Sequence, residues 1–361
     1  MIKMSKMMKK LFWVTLMIFS VTFIFSCKED KNDWGSGGEN KPNPKPKPEQ
    51  SINDSSEVVL AYVTSWSSIL PDPNYLTHIN YAFGHVNETF NGVTIDNEAR
   101  LQALVDLKKK KASLYVILSL GGGGGESEAS LFRTMAKSES YRKSFAADCK
   151  RVIDEFKLDG IDIDWESPAN NQEKDYFTLL MQDIRNAIGK NKFLTFASGA
   201  DPKFFDLEKL VDIVNFVNIM TYDMGAVPYH HSALYRSNKV NWSSASEAVD
   251  RYLAGEMPAK KMVLGIPFYG YKANWVALPF WNISALTSQG YVRKWDDVAK
   301  VPYMVDASNN VVFVYEDVES IGYKCEYLLL QSMRGAMYWE YSQDDSQGTL
   351  RKAVWNGVMK P

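Results

Sequence analysis

Cysteine and histidine are scarce in this chain. Three cysteines, Cys27, Cys149 and Cys325, are spread over 361 residues. Their spacing matches neither a disulfide framework nor a zinc site. Of four histidines only His230 and His231 are neighbours, and adjacent residues are badly placed to chelate one ion. They read as loop histidines lining a cleft, and no metal or cofactor is expected. An excess of one charge is also missing: 41 Lys plus Arg stand against 43 Asp plus Glu. That balance argues against a nucleic-acid partner, which requires a basic surplus. What is present is an apolar content of 45% and an aromatic content of 13%, enough for one large core or two domains.

The first 55 residues do not read as part of that core. Lys3, Lys6, Lys9 and Lys10 precede an apolar run at residues 11–25. At 15 residues the run suits a signal-peptide core better than a spanning helix, which needs about 20. It ends in Ile24-Phe25-Ser26-Cys27, which resembles a bacterial lipoprotein cleavage box with Cys27 as the lipidated residue. Phe25 departs from the small residue usual at that place. Residues 1–27 are therefore expected to be a lipoprotein signal, and the chain to be exported and lipid-anchored to the outer membrane. Cys27-Lys28-Glu29-Asp30 is similar to a surface-export signal of some Bacteroidetes lipoproteins. Residues 28–55 carry Gly35-Ser36-Gly37-Gly38 and a Lys-Pro alternation from Lys41 to Pro48. Gly/Ser stretches are flexible and Pro-rich ones extend, so this segment reads as a tether.

From Val58 onward, apolar strand-like runs alternate with amphipathic segments. Eight candidate strands fall at 58–63, 78–83, 114–119, 160–166, 193–198, 216–222, 262–268 and 335–340. Most are continuously apolar, as strands of a covered parallel sheet are. Helical steps of three and four residues lie between several of them, clearest at Phe177, Leu180, Met181, Ile184 and Ile188. Eight strand–helix units predict a (β/α)8 TIM barrel over residues 56–361, with catalytic groups at the C-terminal strand ends. Between strands 7 and 8, residues 301–305 and 311–315 read as a hairpin in a small insertion.

The strand at 160–166 carries the chemistry. In Asp159-Gly160-Ile161-Asp162-Ile163-Asp164-Trp165-Glu166, three acids alternate with large apolar residues. Side chains two apart on a strand share a face and sit about 6.6 Å apart. Three carboxylates that close cannot all ionise cheaply, so at least one holds a proton near neutral pH. A protonated acid beside charged carboxylates is what glycosidic bond cleavage uses. A solvated acidic loop would not carry Ile, Ile and Trp between its acids. A calcium loop would need Gly at its sixth position.

This segment resembles the signature strand of glycoside hydrolase family 18, the chitinase family. Ser119-Leu120-Gly121-Gly122, Met220-Thr221-Tyr222-Asp223, residues 78–83, residues 265–270 and Met337-Tyr338-Trp339-Glu340 are similar to its other strand motifs, in order. The resemblance implies that the substrate's own 2-acetamido group is the nucleophile, an exception to the two-carboxylate scheme. By matching position, Glu166 is the general acid. Asp164 orients the acetamide, Asp162 shares a proton with Asp164, and Tyr222 donates to the acetamide oxygen. Asp223 positions the sugar and Trp339 floors the −1 site. Tyr62, Phe83 and Met220 match other positions around that pocket. Asp159 reads as structural, packed within the barrel.

The implied partner is an N-acetylglucosamine oligo- or polysaccharide, bound by a monomer: chitin or chitooligosaccharides first. An endo-β-N-acetylglucosaminidase acting on N-glycan cores is the alternative, and a non-catalytic glycan-binding protein the reading from another class. Trp165 before Glu166 is typical of the chitinase branch. The run Gly121 to Gly125 reads as a flexible loop over the cleft. The stretch after Tyr271 reads as a reduced insertion with only its hairpin left, giving a shallow cleft. Trp275, Trp281 and Trp295 are weaker candidates for sugar contacts.

Overall fold

A computed structural model describes residues 52–360. The expected signal, Cys27 and all but the last residues of the tether lie outside the described residues. Eight parallel strands form a closed ring: β1 (Val58–Thr64), β2 (His78–Val86), β3 (Tyr115–Gly121), β4 (Gly160–Asp164), β5 (Phe193–Gly199), β6 (Phe216–Met220), β7 (Met262–Pro267) and β8 (Gly335–Trp339). Each pairs with its successor, and β1 pairs with both β2 and β8. The expected (β/α)8 barrel is the fold.

Alternation along each strand divides the apolar residues into two cores. Ile161, Ile163 and Trp165 point outward with Leu118, Phe196 and Ile219, against the helices. Inside, Val58, Leu60, Ile117, Phe193, Phe216 and Val263 fill the barrel. Helices α1 (Glu98–Val105), α2 (Gly125–Lys137), α3 (Glu139–Phe156), α4 (Asn171–Ile188), α5 (Leu207–Ile213) and α6 (Ala245–Ala254) precede β7. In α4 the buried Phe177, Leu180, Met181, Ile184 and Ile188 form the predicted stripe, and Asn170 caps its start by accepting from the Glu173 amide. Gly189 closes it at positive φ, a conformation without steric cost for glycine.

The insertion is larger than a hairpin. Strands Tyr269–Tyr271, Ala277–Pro279, Val292–Asp296, Val301–Val305 and Val311–Val314 form a five-stranded antiparallel sheet, with α7 (Ile283–Ser288) beside it. The predicted hairpin is the pair Val301–Val305 and Val311–Val314. The other strands were missed because three are very short or largely exposed and lack a buried apolar period. Leu286, Met304, Phe313 and Tyr315 give the insertion its own small core. Helices α8 (Val318–Leu330) and α9 (Thr349–Met359) complete the outer layer.

Candidate active site

Parallel register places polar side chains at one level inside the barrel. Asp162 on β4 lies opposite Ser119 on β3 and Thr195 on β5. Its Oδ2 accepts from Tyr62 Oη at 2.9 Å and Ser119 Oγ at 2.8 Å. Its Oδ1 accepts from Thr195 Oγ1 at 2.5 Å and Asn218 Nδ2 at 3.2 Å. Burial raises the Asp162 pKa, and these four donors oppose that rise. A carboxylate that accepts several hydrogen bonds keeps its charge even without solvent.

Asp164, one step further up the strand, has no such cage. It is 3% exposed, and its Oδ1 is buried with no hydrogen-bond partner among the described residues. Burial, then the charges of Glu166 and Asp162, push its pKa well above the usual carboxylate range. Of the three acids, Asp164 is therefore pushed furthest toward its neutral form. No Asp162–Asp164 hydrogen bond is found among the described contacts; the two are linked through charge.

The strand ends at Asp164 rather than Glu166. Beyond it, Trp165 turns outward and stacks on Phe132 at 5.6 Å between ring centroids, with Phe177 at 6.2 Å. That anchor leaves Glu166 at the open end of the cavity, in contact with solvent on one side and crowded by protein on the others. Its pKa is raised by burial, then by the negative charge of Asp223. For Asp223, burial is outweighed by contacts from His231, Tyr269 and Tyr271, which hold its pKa below the usual value. Tyr269 Oη donates to Asp223 Oδ1 at 2.6 Å, and His231 Nδ1 lies 3.7 Å from the same oxygen.

A cavity of ≈ 190 Å³ is bounded by Tyr62, Phe83, Asp164, Glu166, Met220, Tyr222, Asp223 and Trp339, together with Gly123 and Tyr269. The predicted site residues thus converge on one space, with Asp162 directly beneath. Trp339 stacks on Phe83 at 5.7 Å and 22°, and meets Tyr62 at 5.6 Å. A second cavity of ≈ 440 Å³ shares Glu166, Met220, Tyr222 and Asp223 and runs to Trp242. Trp275 packs on Trp242 at 5.6 Å. The insertion thus lends Tyr269 to the smaller cavity and braces Trp242 with Trp275, where a reduced insertion and a shallower cleft were expected.

Other expectations need correction. His230 and His231 are buried, 2% and 1% exposed, and stand behind the cleft wall because Asp296 and Asp223 draw them inward. Asp159 lies at the base of the barrel, not within it, accepting from the Val116 amide at 2.7 Å and pairing with Lys108 at 2.6 Å. Gly121 and Gly122 are not slack. Both have positive φ, and a Cβ on Gly122 would meet the Phe83 ring at 2.5 Å. The Gly122 amide donates to Asp164 O at 2.9 Å, so Gly121 and Gly122 form a packed wall, while Gly123, Gly124 and Gly125 beyond them are exposed. Trp295 packs against Tyr323 under Arg293, away from both cavities. Trp281 lines a separate groove with Ile69 and Tyr341.

Sequence reasoning assigned no role to Ser119, Thr195 or Asn218, and did not single out Tyr269 or Gly123 at the site. A usable signal existed for the first three. Each is the polar residue in a run that is otherwise apolar, at a position that faces inward.

A closed parallel barrel with an acidic cluster and aromatic walls at the C-terminal strand ends defines a glycosidase of the TIM-barrel class. The chain belongs to the glycosyl hydrolases family 18, whose model matches residues 58–344. It is 30% identical to Chitinase A1 of Niallia circulans over 73% of this chain, spanning 46% of that protein. It is 27% identical to Chitinase B of Serratia marcescens over 81% of this chain and 80% of that protein. A family 18 N-acetylglucosaminidase from Paenibacillus barengoltzii is similar in structure, with a TM-score of 0.74 and 32% identity over 84% of this chain and all of that one.

Proposed function

We propose that this glycosidase cleaves β-1,4 linkages between N-acetylglucosamine units, in chitin or chitooligosaccharides, with retention and through the substrate's 2-acetamido group. The observation that carries the reading is the divided trio: Asp162 caged by four donors, Asp164 buried with an unpartnered oxygen, and Glu166 at the mouth. Family membership and similarity to two chitinases support the substrate class.

In the first step Glu166 gives its proton to the glycosidic oxygen. The acetamide oxygen attacks C1 as the C1–O bond breaks, and an oxazolinium ion forms. Asp164 turns its carboxyl to the acetamide N–H, yields its proton toward Asp162, and faces the new positive charge. Fixed negative charge in a site with little water stabilises such an ion strongly. Tyr222 Oη donates to the acetamide oxygen and sets its line of attack. In the second step the Glu166 carboxylate takes a proton from water. The hydroxide attacks C1 from the face the leaving group left, the ring opens, and the configuration is retained. Trp339 offers its ring to the apolar C–H face of the sugar.

Glu166→Gln is expected to lose about 10³-fold or more in kcat, at the upper range for a general acid, while still binding chitotetraose. Unchanged turnover in that variant would remove the assignment. Offering chitotetraose beside a high-mannose glycoprotein decides the substrate. Intact glycans released without any cut in chitotetraose would replace this reading with an endo-β-N-acetylglucosaminidase.

A further inference from the structure

Outside the trio, one histidine is built into an arrangement that a neutral ring cannot satisfy. His85, on β2, places Nδ1 3.2 Å from Glu128 Oε2 and Nε2 3.2 Å from Asp96 Oδ2. A neutral imidazole has one donor and one acceptor, so in either tautomer a lone pair would face a carboxylate. Only the imidazolium donates to both. Asp96 and Glu128 are the charged groups that face this ring, one after the strand Val93–Ile95 and one on α2. The hydrogen bond to Glu128, opposed by burial and helped by Asp96, raises the proton affinity of His85.

Both carboxylates belong to the frame of the catalytic cavity. The Asp96 amide donates to Phe83 O at 3.1 Å, and Phe83 is the ring stacked on Trp339. Glu128 lies against Gly124, where an added Cβ would come within 2.8 Å of Glu128 Cβ. Next to it, Gly123 faces Glu166, with Oε1 3.8 Å from the Cβ position. Gly122 is tied to Asp164 through its amide. One ring thus joins β2 to α2 across the segment that walls Glu166.

We propose that His85 is a positioning residue for Glu166, a charged clamp between Asp96 and Glu128 that fixes the glycine wall of the cavity only while its ring is protonated. This rests on Glu166 being the general acid. Loss of the proton leaves one carboxylate against a lone pair and two like charges facing each other. The wall at residues 122–124 then loosens, and Glu166 loses its fixed aim at the glycosidic oxygen. The clamp acts on the chemical step, so kcat should fall and KM should hold.

The test combines histidine-ring NMR, amide hydrogen exchange and kinetics on chitotetraose, using the full chain. With four histidines in the sequence, the His85 signal is assigned by its loss in His85→Gln. The expected result is that His85 titrates above an ordinary histidine, and that exchange at residues 122–124 speeds beyond the intrinsic pH effect across the same range. His85→Gln should lose about tenfold in kcat below that range, with KM within about twofold, the signature of an interaction made in the transition state. Glu128→Gln removes one carboxylate charge. It should move both the His85 titration and the fall in kcat to lower pH together. The proposal is overturned if His85→Gln keeps the wild-type kcat and pH profile, or if the glycine amides ignore the His85 titration. If no variant, nor the wild type, cuts any chitooligosaccharide, the fault lies with the proposed function. The titration and exchange arms still decide whether the clamp exists.

Discussion

Asp162 and Asp164 sit two residues apart on one strand, yet their surroundings separate them. Four donors hold Asp162, while Asp164 has burial and two neighbouring charges. A carboxyl whose folded pKa is raised favours the native state fully at low pH. That contribution is lost as pH climbs from the ordinary carboxylate range through the folded value. Asp164→Asn removes this penalty. Thermal melts of variant and wild type should show no gain at pH 4 and a gain at pH 8, with catalysis lost. A gain over wild type no larger at pH 8 than at pH 4 would show that the Asp164 pKa is not raised. For Glu166 the sign follows from Asp223, whose negative charge helps raise its pKa. Asp223→Asn should therefore move the basic limb of kcat/KM to lower pH, and profiles of both proteins would check it. A limb that stays or moves upward would contradict the coupling. The residues that meet at the site were readable from the motifs, but their electrostatic surroundings were not. They depend on Ser119, Thr195 and Asn218, which come from three other strands.

The insertion and α8 are joined by a buried ion pair. Lys324 Nζ donates to Glu316 Oε1 at 2.6 Å and to Ser232 O at 2.6 Å, and both charged side chains are fully enclosed. Ser232 also donates to Glu316, and His231 beside it stands behind Asp223. The pair therefore ties the end of the insertion sheet, α8 and the loop after β6 into one support for the cleft wall. Breaking a buried pair on one side leaves an uncompensated charge. Lys324→Met should cost about 3 kcal/mol or more, measured by urea unfolding. Adding Glu316→Gln should recover part of that loss. Equal instability of the single and double variants would show that packing, not charge, matters there. Sequence periodicity placed the barrel strands and α4 well, because their buried faces repeat. It missed most of the insertion sheet, because Val292–Asp296 and Ala277–Pro279 are short and partly exposed.

At the scale of the whole molecule, we propose that the barrel is exported on a tether and held by a lipid on Cys27. Labelling with palmitate in a bacterial host should tag the wild type and not Cys27→Ala, which should appear in the soluble fraction. Labelling that survives the substitution would remove the anchor. Strand count, closure order and the position of the acids followed from the chain alone. Alternation and continuous apolar runs are local properties, and parallel strands with helical crossovers close in few ways. The tertiary structure decided how differently the acids are surrounded, that Gly121 and Gly122 are packed against Asp164 and Phe83, and that His85 spans two carboxylates. Each of these depends on groups from distant segments meeting, and no local pattern encodes the distance between them.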